Sequence, residues 1–169
     1  KLRFHPQNDG LLAVYGNKEC IVINLDPQQI KVHQTIKLDL MLDQLGHDLF
    51  IIDCLWLPNS QTHFAVMTKM FLKIYDLSKD KLSPAFCINQ IEDATGFNMM
   101  TSMTIEKVVD TQDQSKVNDY CRIYVGTANG IIYSYLLDTQ EVVNESDSLY
   151  LVEDVQIKGK FILYLFVFR

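Results

Sequence analysis

One stretch, residues 56–77, decides the fold; it reads WLPNSQTHFAVMTKMFLKIYDL. It combines an aromatic residue two positions before a proline, a polar turn, and two short apolar segments separated by a few turn residues. Residues 4–25 repeat this order as FHPQNDGLLAVYGNKECIVINL. The aromatic residues Phe4 and Trp56 are 52 positions apart, and a second pair, Ala13 and Ala65, has the same spacing. We therefore interpret the chain as a repeat protein with a unit of about 50 residues.

A third copy of the unit lacks the aromatic residue and the proline but keeps the paired apolar segments, within residues 121–137. Asn129-Gly130 separates the two segments and favours a tight β-hairpin, because both residues tolerate a positive φ. The polar stretch 110–119 precedes this copy and predicts an exposed inserted loop.

Several predicted strands are apolar at consecutive positions, which indicates burial on both faces and hence stacked sheets. Short four-stranded sheets that recur every 40 or more residues and stack around an axis form a β-propeller. A β-sandwich is the alternative, but its strands alternate more cleanly and need no repeat register. We predict an all-β protein with three to four blades of a larger β-propeller. The ring is incomplete as given, because closure needs roughly four to eight blades.

The whole chain, 1–169, is divided by this interpretation into three blades, an insertion within the third, and the start of a further blade. The three blades are expected at about residues 1–37, 50–90 and 100–145, the insertion at 110–119, and the further blade at 149–169. Its strand would be the apolar run 161–168. Between the first two blades, residues 38–49 carry Leu and Met at three- to four-residue spacing, which leaves a short helix and a broken strand open.

Composition excludes several classes of function. With 48% hydrophobic and 21% charged residues, the chain resembles an ordinary globular domain. Fifteen Lys and Arg against 21 Asp and Glu leave a net charge of −6, which disfavours nucleic acid and anionic membranes as partners. The longest apolar run is far shorter than the roughly 20 residues of a membrane helix. We expect no nucleic-acid partner and no membrane span.

No residue pattern predicts a catalytic, cofactor-binding or metal site. The cysteines lie at different phases of the repeat, so their side chains are expected to point to different places, and no pair has zinc-ligand spacing. They are Cys20, Cys54, Cys87 and Cys121. The histidines His5, His33, His47 and His63 also lack ligand spacing. Four free thiols fit a reducing compartment, so we expect a cytoplasmic location and leave a nuclear one open.

Acidic residues concentrate between positions 138 and 154: Asp138, Glu141, Glu145, Asp147, Glu153 and Asp154. This stretch is interpreted as a loop. It either docks a basic partner or is a solvated edge loop that favours solubility.

The order of aromatic residue, proline and a strand that ends in Tyr75-Asp76 is similar to the WD40 repeat, in which a Trp-Asp pair closes that strand. Eight residues carry the structural repeat motif: Phe4, Pro6, Trp56, Pro58, Tyr75, Asp76, Asn129 and Gly130. Since the other copies lack the Trp-Asp pair, we expect a degenerate WD40-like propeller without the usual Asp-His-Ser-Trp hydrogen-bond network.

Residues 50–84 resemble one family more specifically. They contain WLPNSQT, then KIYDL and LSP. The β-propeller of the giant UBR-box E3 ubiquitin ligases, called Pushover in flies and BIG in plants, has W-L-P-x-S-Q-T followed by V-K-I-Y-D-L and L-S-P. The resemblance covers residues 3–84, and the strand at 131–134 is compatible with the next blade.

The resemblance implies a very large parent ligase of the N-degron and protein quality-control pathway. In that family calmodulin, a partner ligase subunit and a ubiquitin-conjugating enzyme associate with other parts of the chain, and zinc is bound there. Neither the UBR box nor the C-terminal zinc module has a counterpart in these 169 residues, so no functional residue is transferred.

We therefore expect this segment to be non-catalytic and to bind client proteins or ligase subunits as a scaffold. The alternatives are a WD40-like scaffold of an unrelated large assembly and, third, a propeller enzyme with polar or metal-binding residues at its axial channel.

Overall fold

The structure is a computed structural model. It describes residues 1–26, 28–29, 31–38, 40, 49–58, 60–79, 83–89, 91–93, 96–108, 120–138 and 150–158. All regular secondary structure in these residues is β-strand. The strands are β1 (Leu2–His5), β2 (Asn8–Tyr15), β3 (Cys20–Asp26), β4 (Lys31–Lys37), β5 (Ile51–Trp56), β6 (His63–Thr68), β7 (Leu72–Asp76), β8 (Phe86–Ile88), β9 (Ile91–Asp93), β10 (Gly96–Asn98), β11 (Met100–Val108), β12 (Tyr120–Thr127), β13 (Ile131–Asp138) and β14 (Tyr150–Lys158).

Three four-stranded antiparallel sheets contain twelve of these strands, in sequence order β1–β4, β5–β8 and β11–β14. A two-stranded hairpin, β9–β10, lies between the second and third sheets in sequence. Each four-stranded sheet is a meander, the blade unit that the repeat predicts. Across the described part of the chain, no helix has the length and apolar character needed to span a membrane.

The third sheet differs from the boundaries drawn on the sequence. Strand β14 pairs antiparallel with β13, with Asp138 opposite Tyr150 and Ile131 opposite Lys158. Residues 150–158 are therefore the fourth strand of the third sheet and not the start of a further blade. The sequence alone did not show this pairing, because a long connection separates β13 from β14. The insertion 110–119, the segment 41–48 and the apolar run 161–168 lie outside the described residues.

The sheets stack face to face. One apolar cluster fills the space between the first and second sheets, with Ala13, Val22, Phe64 and Val66 at its centre. A second cluster fills the space between the second and third sheets. All six residues of β6 are consequently buried, whereas only three of the eight residues of β2 are. Burial does not alternate along β6 because neighbouring sheets cover both of its faces.

The turns between the second and third strands of each sheet lie at one end of the stack. Thr68 and Thr127 close two of them, since their Oγ1 atoms accept the backbone N–H groups of Phe71 (3.1 Å) and Ile131 (3.3 Å). Gly130 has a φ of 74° in the second of these turns, as the Asn-Gly pair predicts.

Backbone hydrogen bonds tie the turns of the first and second sheets to the sheet that follows each of them. The N–H of Ile51 donates to the Asn17 carbonyl (2.7 Å), and the N–H of Met100 donates to the Lys69 carbonyl (3.0 Å). The start of each new sheet is thereby fixed against the turn of the sheet before it, and the ends of all three sheets form one surface, which we call the turn face.

Candidate interaction surface

The two aromatic residues of the repeat motif have opposite environments. Trp56 is 7% exposed, and its indole Nε1 donates to the Arg3 carbonyl (3.1 Å) in the first sheet. Its ring packs against His5 and Phe64, each with a centroid distance of 4.7 Å. Phe4, at the same repeat position, is 62% exposed. The motif therefore builds the contact between the first two sheets through Trp56 but not through Phe4.

The other motif residues lie in turns and at a strand end. Pro6 is exposed, Pro58 is half-buried, and Asn129 is exposed beside Gly130. Tyr75 is fully buried at the end of β7, next to Asp76. These residues therefore lie in turns or at the end of a strand, and their role in the repeat stays a prediction.

Asp76 organises the turn that follows β7. Its Oδ1 accepts the backbone N–H of Ser78 (3.0 Å) and the Ser78 hydroxyl (2.7 Å). Burial alone would raise the pKa of the Asp76 carboxyl, but the hydrogen bonds from Ser78 outweigh it, so the pKa lies below its ordinary value. Asp76 is therefore a buried carboxylate held in its ionised form by local donors.

A buried polar chain links the first and second sheets. His5 is 2% exposed; its Nδ1 accepts the N–H of Gln7 (3.0 Å), so its Nε2 donates to the Ser60 carbonyl (2.9 Å). The Ser60 hydroxyl lies 2.6 Å from Nδ1 of His63, and Nε2 of His63 lies 3.9 Å from Oδ2 of Asp76. His5, Ser60, His63 and Asp76 thus form one polar path, which passes through the backbone carbonyl and the hydroxyl of Ser60.

The serine in this path is built into the backbone. Ser60 Oγ accepts the N–H groups of His63 (3.0 Å) and Thr62 (3.3 Å), so its own proton points to His63 Nδ1. Ser60 is 7% exposed, and its hydroxyl forms its hydrogen bonds within the same loop. The arrangement acts as a clamp on the 60–63 turn. The i, i+3 spacing of Ser60 and His63 is the sequence signal that could have indicated it.

A second link lies nearer the surface. Arg3 approaches both carboxylate oxygens of Asp53 (3.2 and 3.4 Å), and the hydroxyl of Tyr15 donates to Asp53 Oδ1 (2.5 Å). Burial, followed by the hydrogen bond to Asp53, raises the pKa of Tyr15. Asp53 thus connects the second sheet to two strands of the first.

The prediction that the cysteine side chains point to different places is wrong for one pair. Cys20 and Cys54 are both fully buried between the first two sheets, and burial together with a hydrogen bond between the two side chains raises the pKa of Cys54. They meet because the sheets stack, although their repeat phases differ. Among the described residues, no group of three or more His, Cys, Asp or Glu side chains is placed to hold a metal ion.

The turn face carries exposed apolar side chains. Phe50, Met70 and Met99 are 44%, 36% and 50% exposed. Ile51 pairs with Thr68 in the ladder, which puts Phe50 beside Lys69, and the bond from Met100 to Lys69 brings Met99 to the same turn.

Cations border these apolar side chains. The Lys18 ammonium lies 6.0 Å from the centre of the Phe50 ring, and Lys69 precedes Met70 in the turn between β6 and β7. We call these five residues the turn-face strip: Lys18, Phe50, Lys69, Met70 and Met99. Its members are scattered in the sequence, so sequence reasoning missed it.

Three curated proteins illustrate what the chain is similar to. The chain is 42% identical over 91 residues to a probable E3 ubiquitin-protein ligase of Dictyostelium discoideum, covering 54% of this chain and 2% of that protein. It is 29% identical over 172 residues to Protein purity of essence of Drosophila pseudoobscura pseudoobscura, covering 92% of this chain and 3% of that protein. It is 35% identical over 83 residues to Auxin transport protein BIG of Oryza sativa subsp. japonica, covering 49% of this chain and 2% of that protein.

The chain therefore spans only 2–3% of the length of these relatives. The resemblance predicted from residues 3–84 is confirmed. No family model matches the chain.

Comparison with solved structures gives the fold. The β-propeller domain of Myceliophteria thermophila Cps50 (Swd1) matches with a TM-score of 0.56 and 13% sequence identity, over 92% of this chain and 44% of that one. The predicted all-β propeller fold is confirmed, and the chain matches less than half of that propeller.

Proposed function

We propose that this segment is a non-catalytic docking propeller within a very large E3 ubiquitin ligase. The name of the Dictyostelium relative supports the ligase assignment, and the propeller fold supports a scaffold role. The function of the segment is to hold a client protein or a ligase subunit near the ubiquitin-transfer module elsewhere in the chain.

The observation that carries this proposal is the turn-face strip. Three large apolar side chains, from 36% to 50% exposed, belong to adjoining segments at one end of the stack, and Lys18 lies beside one of them, Phe50. Grouped exposed apolar residues with a polar border are typical of protein-binding surfaces. The strip is fixed by backbone hydrogen bonds between sheets, so it is preorganised for binding.

The finer assignment follows the family resemblance. The parent acts in the N-degron and protein quality-control pathway in the cytoplasm, and a nuclear location stays open. Calmodulin and the ubiquitin-conjugating enzyme bind other parts of the parent, and any zinc is held there. The propeller contributes partner binding and no step of ubiquitin transfer.

The test compares two charge-matched double variants of the full-length protein. Phe50→Asp with Met99→Asp places two carboxylates in the strip. Gln29→Asp with Gln34→Asp adds the same charge at exposed positions of the first sheet, away from the turn face. Proteins bound to each variant in cells are quantified by affinity purification and mass spectrometry, and each preparation is assayed for ubiquitination of a substrate with a basic N-terminal residue.

In the strip variant, we expect the bound amount of a defined subset of proteins to fall at least about tenfold. Loss of a binding hot spot has an effect of this size. The control variant should keep that subset. Identical bound sets in both variants would contradict the docking role. If the subset is lost but the wild-type protein never ubiquitinates the basic substrate, docking stands and the N-degron assignment fails, which leaves a WD40-like scaffold of another large assembly.

A further inference from the structure

The face of the first sheet that points away from the second sheet is apolar. Two cross-strand rows form it on the inner three strands: Leu2, Val14 and Ile21, and then Phe4, Leu12 and Ile23. Leu2 and Phe4 are each 62% exposed, and the other four are partly exposed. Only the outer strand β4 ends the rows with polar residues, Lys37 and Thr35. We call this surface the open face. A sheet face that is solvated in the finished protein carries polar residues at these positions.

The same positions are covered in the second sheet. The 52-residue repeat places Trp56, Phe64, Val66 and Tyr75 where the first sheet has Phe4, Leu12, Val14 and Ile23. The ladders agree, because Trp56 pairs with Phe64 as Phe4 pairs with Leu12. Those four residues of the second sheet are 7%, 0%, 0% and 0% exposed, buried under the first sheet.

The third sheet repeats the arrangement. Ile123, Val125 and Tyr135 occupy the corresponding positions and are 0%, 0% and 5% exposed against the second sheet. In two of three sheets, this set of positions is therefore apolar and covered by the preceding sheet. In the first sheet it is equally apolar, and the described residues place no sheet on it.

We infer that the open face binds a further blade of the same polypeptide, a four-stranded sheet whose facing side is apolar. The first sheet shows what such a side looks like, since it covers the second sheet with Ala13, Tyr15, Cys20 and Val22. The matched propeller supports the same occupant, because this chain corresponds to only 44% of it. The relatives are also far longer than this segment.

A second copy of this chain fits the open face less well. Head-to-tail stacking would bring the far face of the third sheet onto it. That face carries Thr104, Glu106, Arg122 and Tyr124, with Tyr124 donating to Glu106 (2.7 Å) and Arg122 donating to Ser134 (3.0 Å). Covering these groups with Phe4 and Leu2 would remove water from a charged surface without a polar partner, which is unfavourable.

Site-specific photocrosslinking in the full-length protein tests the inference. Phe4 is replaced with p-benzoylphenylalanine, and in a matched variant Phe50 is replaced with the same residue. After irradiation, the crosslinked peptides are identified by mass spectrometry. From position 4 we expect an intramolecular crosslink to one segment of the same polypeptide outside residues 1–169, with a yield that does not change on tenfold dilution. Position 50 should not reach that segment.

Three results would overturn the inference: a crosslink from position 4 to a second copy, a crosslink to a different protein, or no protein crosslink at all. Hydrogen exchange of the full-length protein gives an independent readout. Phe4→Asp should speed exchange of residues 1–15 at least about tenfold, and Gln34→Asp, equally charged and at an exposed position outside the turn-face strip, should change it less than about twofold. Equal effects of the two variants would mean that the open face is solvated.

Discussion

The two contacts between sheets are built differently. Between the first and second sheets, polar side chains cross the gap: Trp56 bonds to the backbone of Arg3, and His5 bonds to the backbone of Ser60. Between the second and third sheets, thioether and aliphatic side chains fill the space: Met67, Leu72, Ile74, Met100, Met103, Ile123 and Val125. Directional bonds fix one register and one orientation, while flexible methionines adapt to neighbouring shapes.

This difference teaches where the stack is specific and where it is tolerant. At the first contact, a substitution that keeps the volume but removes a donor leaves a buried acceptor without its partner. At the second contact, the main contribution is area removed from water, and a volume-conserving change is absorbed. Four tests, ordered by the size of the expected effect, would break or sharpen this comparison.

Truncation of Trp56 should have the largest effect. Trp56→Ala removes the ring packed against His5 and Phe64 and also the bond to the Arg3 carbonyl. We expect a loss of about 3–5 kcal/mol in the free energy of unfolding, measured by urea denaturation followed by circular dichroism. Met70→Ala, at a turn tip away from both clusters, serves as the control and should cost less than about 1 kcal/mol. Equal losses would contradict a central role for Trp56.

A pair of volume-conserving changes compares the two contacts directly. His5→Phe keeps an aromatic ring but leaves the Ser60 carbonyl and the Gln7 N–H without their bonds, so we expect a loss of about 1–3 kcal/mol. Met100→Leu, in the second cluster, should cost less than about 1.5 kcal/mol. The same denaturation assay measures both. A larger loss for Met100→Leu would reverse the comparison.

Removal of the Asp53 charge should have a smaller effect, because Arg3 is largely exposed. Asp53→Asn keeps the size of the side chain, and we expect a loss of about 0.5–1 kcal/mol. The pKa of Tyr15 should fall, because the hydrogen bond to Asp53 is the second largest cause of its raised value, next to burial. Nuclear magnetic resonance of ring-labelled tyrosine follows this titration. An unchanged Tyr15 pKa in Asp53→Asn would show that the carboxylate does not act on the phenol.

The smallest effect should appear only in acid. The pKa of Asp76 is lower in the folded state than its ordinary value, so its contribution to stability is present above about pH 4 and is lost as the pH falls through the folded-state pKa. Asp76→Asn should therefore flatten the dependence of unfolding free energy on pH below about pH 4. Parallel curves for the wild type and the variant would rule out this linkage.

Repeat register and turn chemistry are the features that the sequence predicts well. The 52-residue spacing makes Leu12 and Phe64 equivalent positions of the repeat, and the strand pairing in the two sheets agrees with this. Asn129-Gly130 predicts its hairpin because local φ requirements decide that turn. These signals are local or periodic, so a single sequence contains them.

The sequence does not predict the contacts that form when the sheets stack. His5 and Ser60 are 55 positions apart and meet only because the first sheet covers the second. The same holds for Cys20 and Cys54, and for the residues of the turn-face strip. Strand β14 was misplaced for a related reason, because the length of a connection is not fixed by the repeat.

The central claim is that residues 1–158 supply three consecutive stacked blades of a larger propeller, and electron cryomicroscopy of the full-length protein tests it most directly. The account predicts density in which Trp56 and Phe64 lie between the first two sheets and a fourth sheet of the same chain covers Phe4 and Leu12. A map in which the three sheets are not stacked, or in which solvent lies against Phe4 and Leu12, would contradict it.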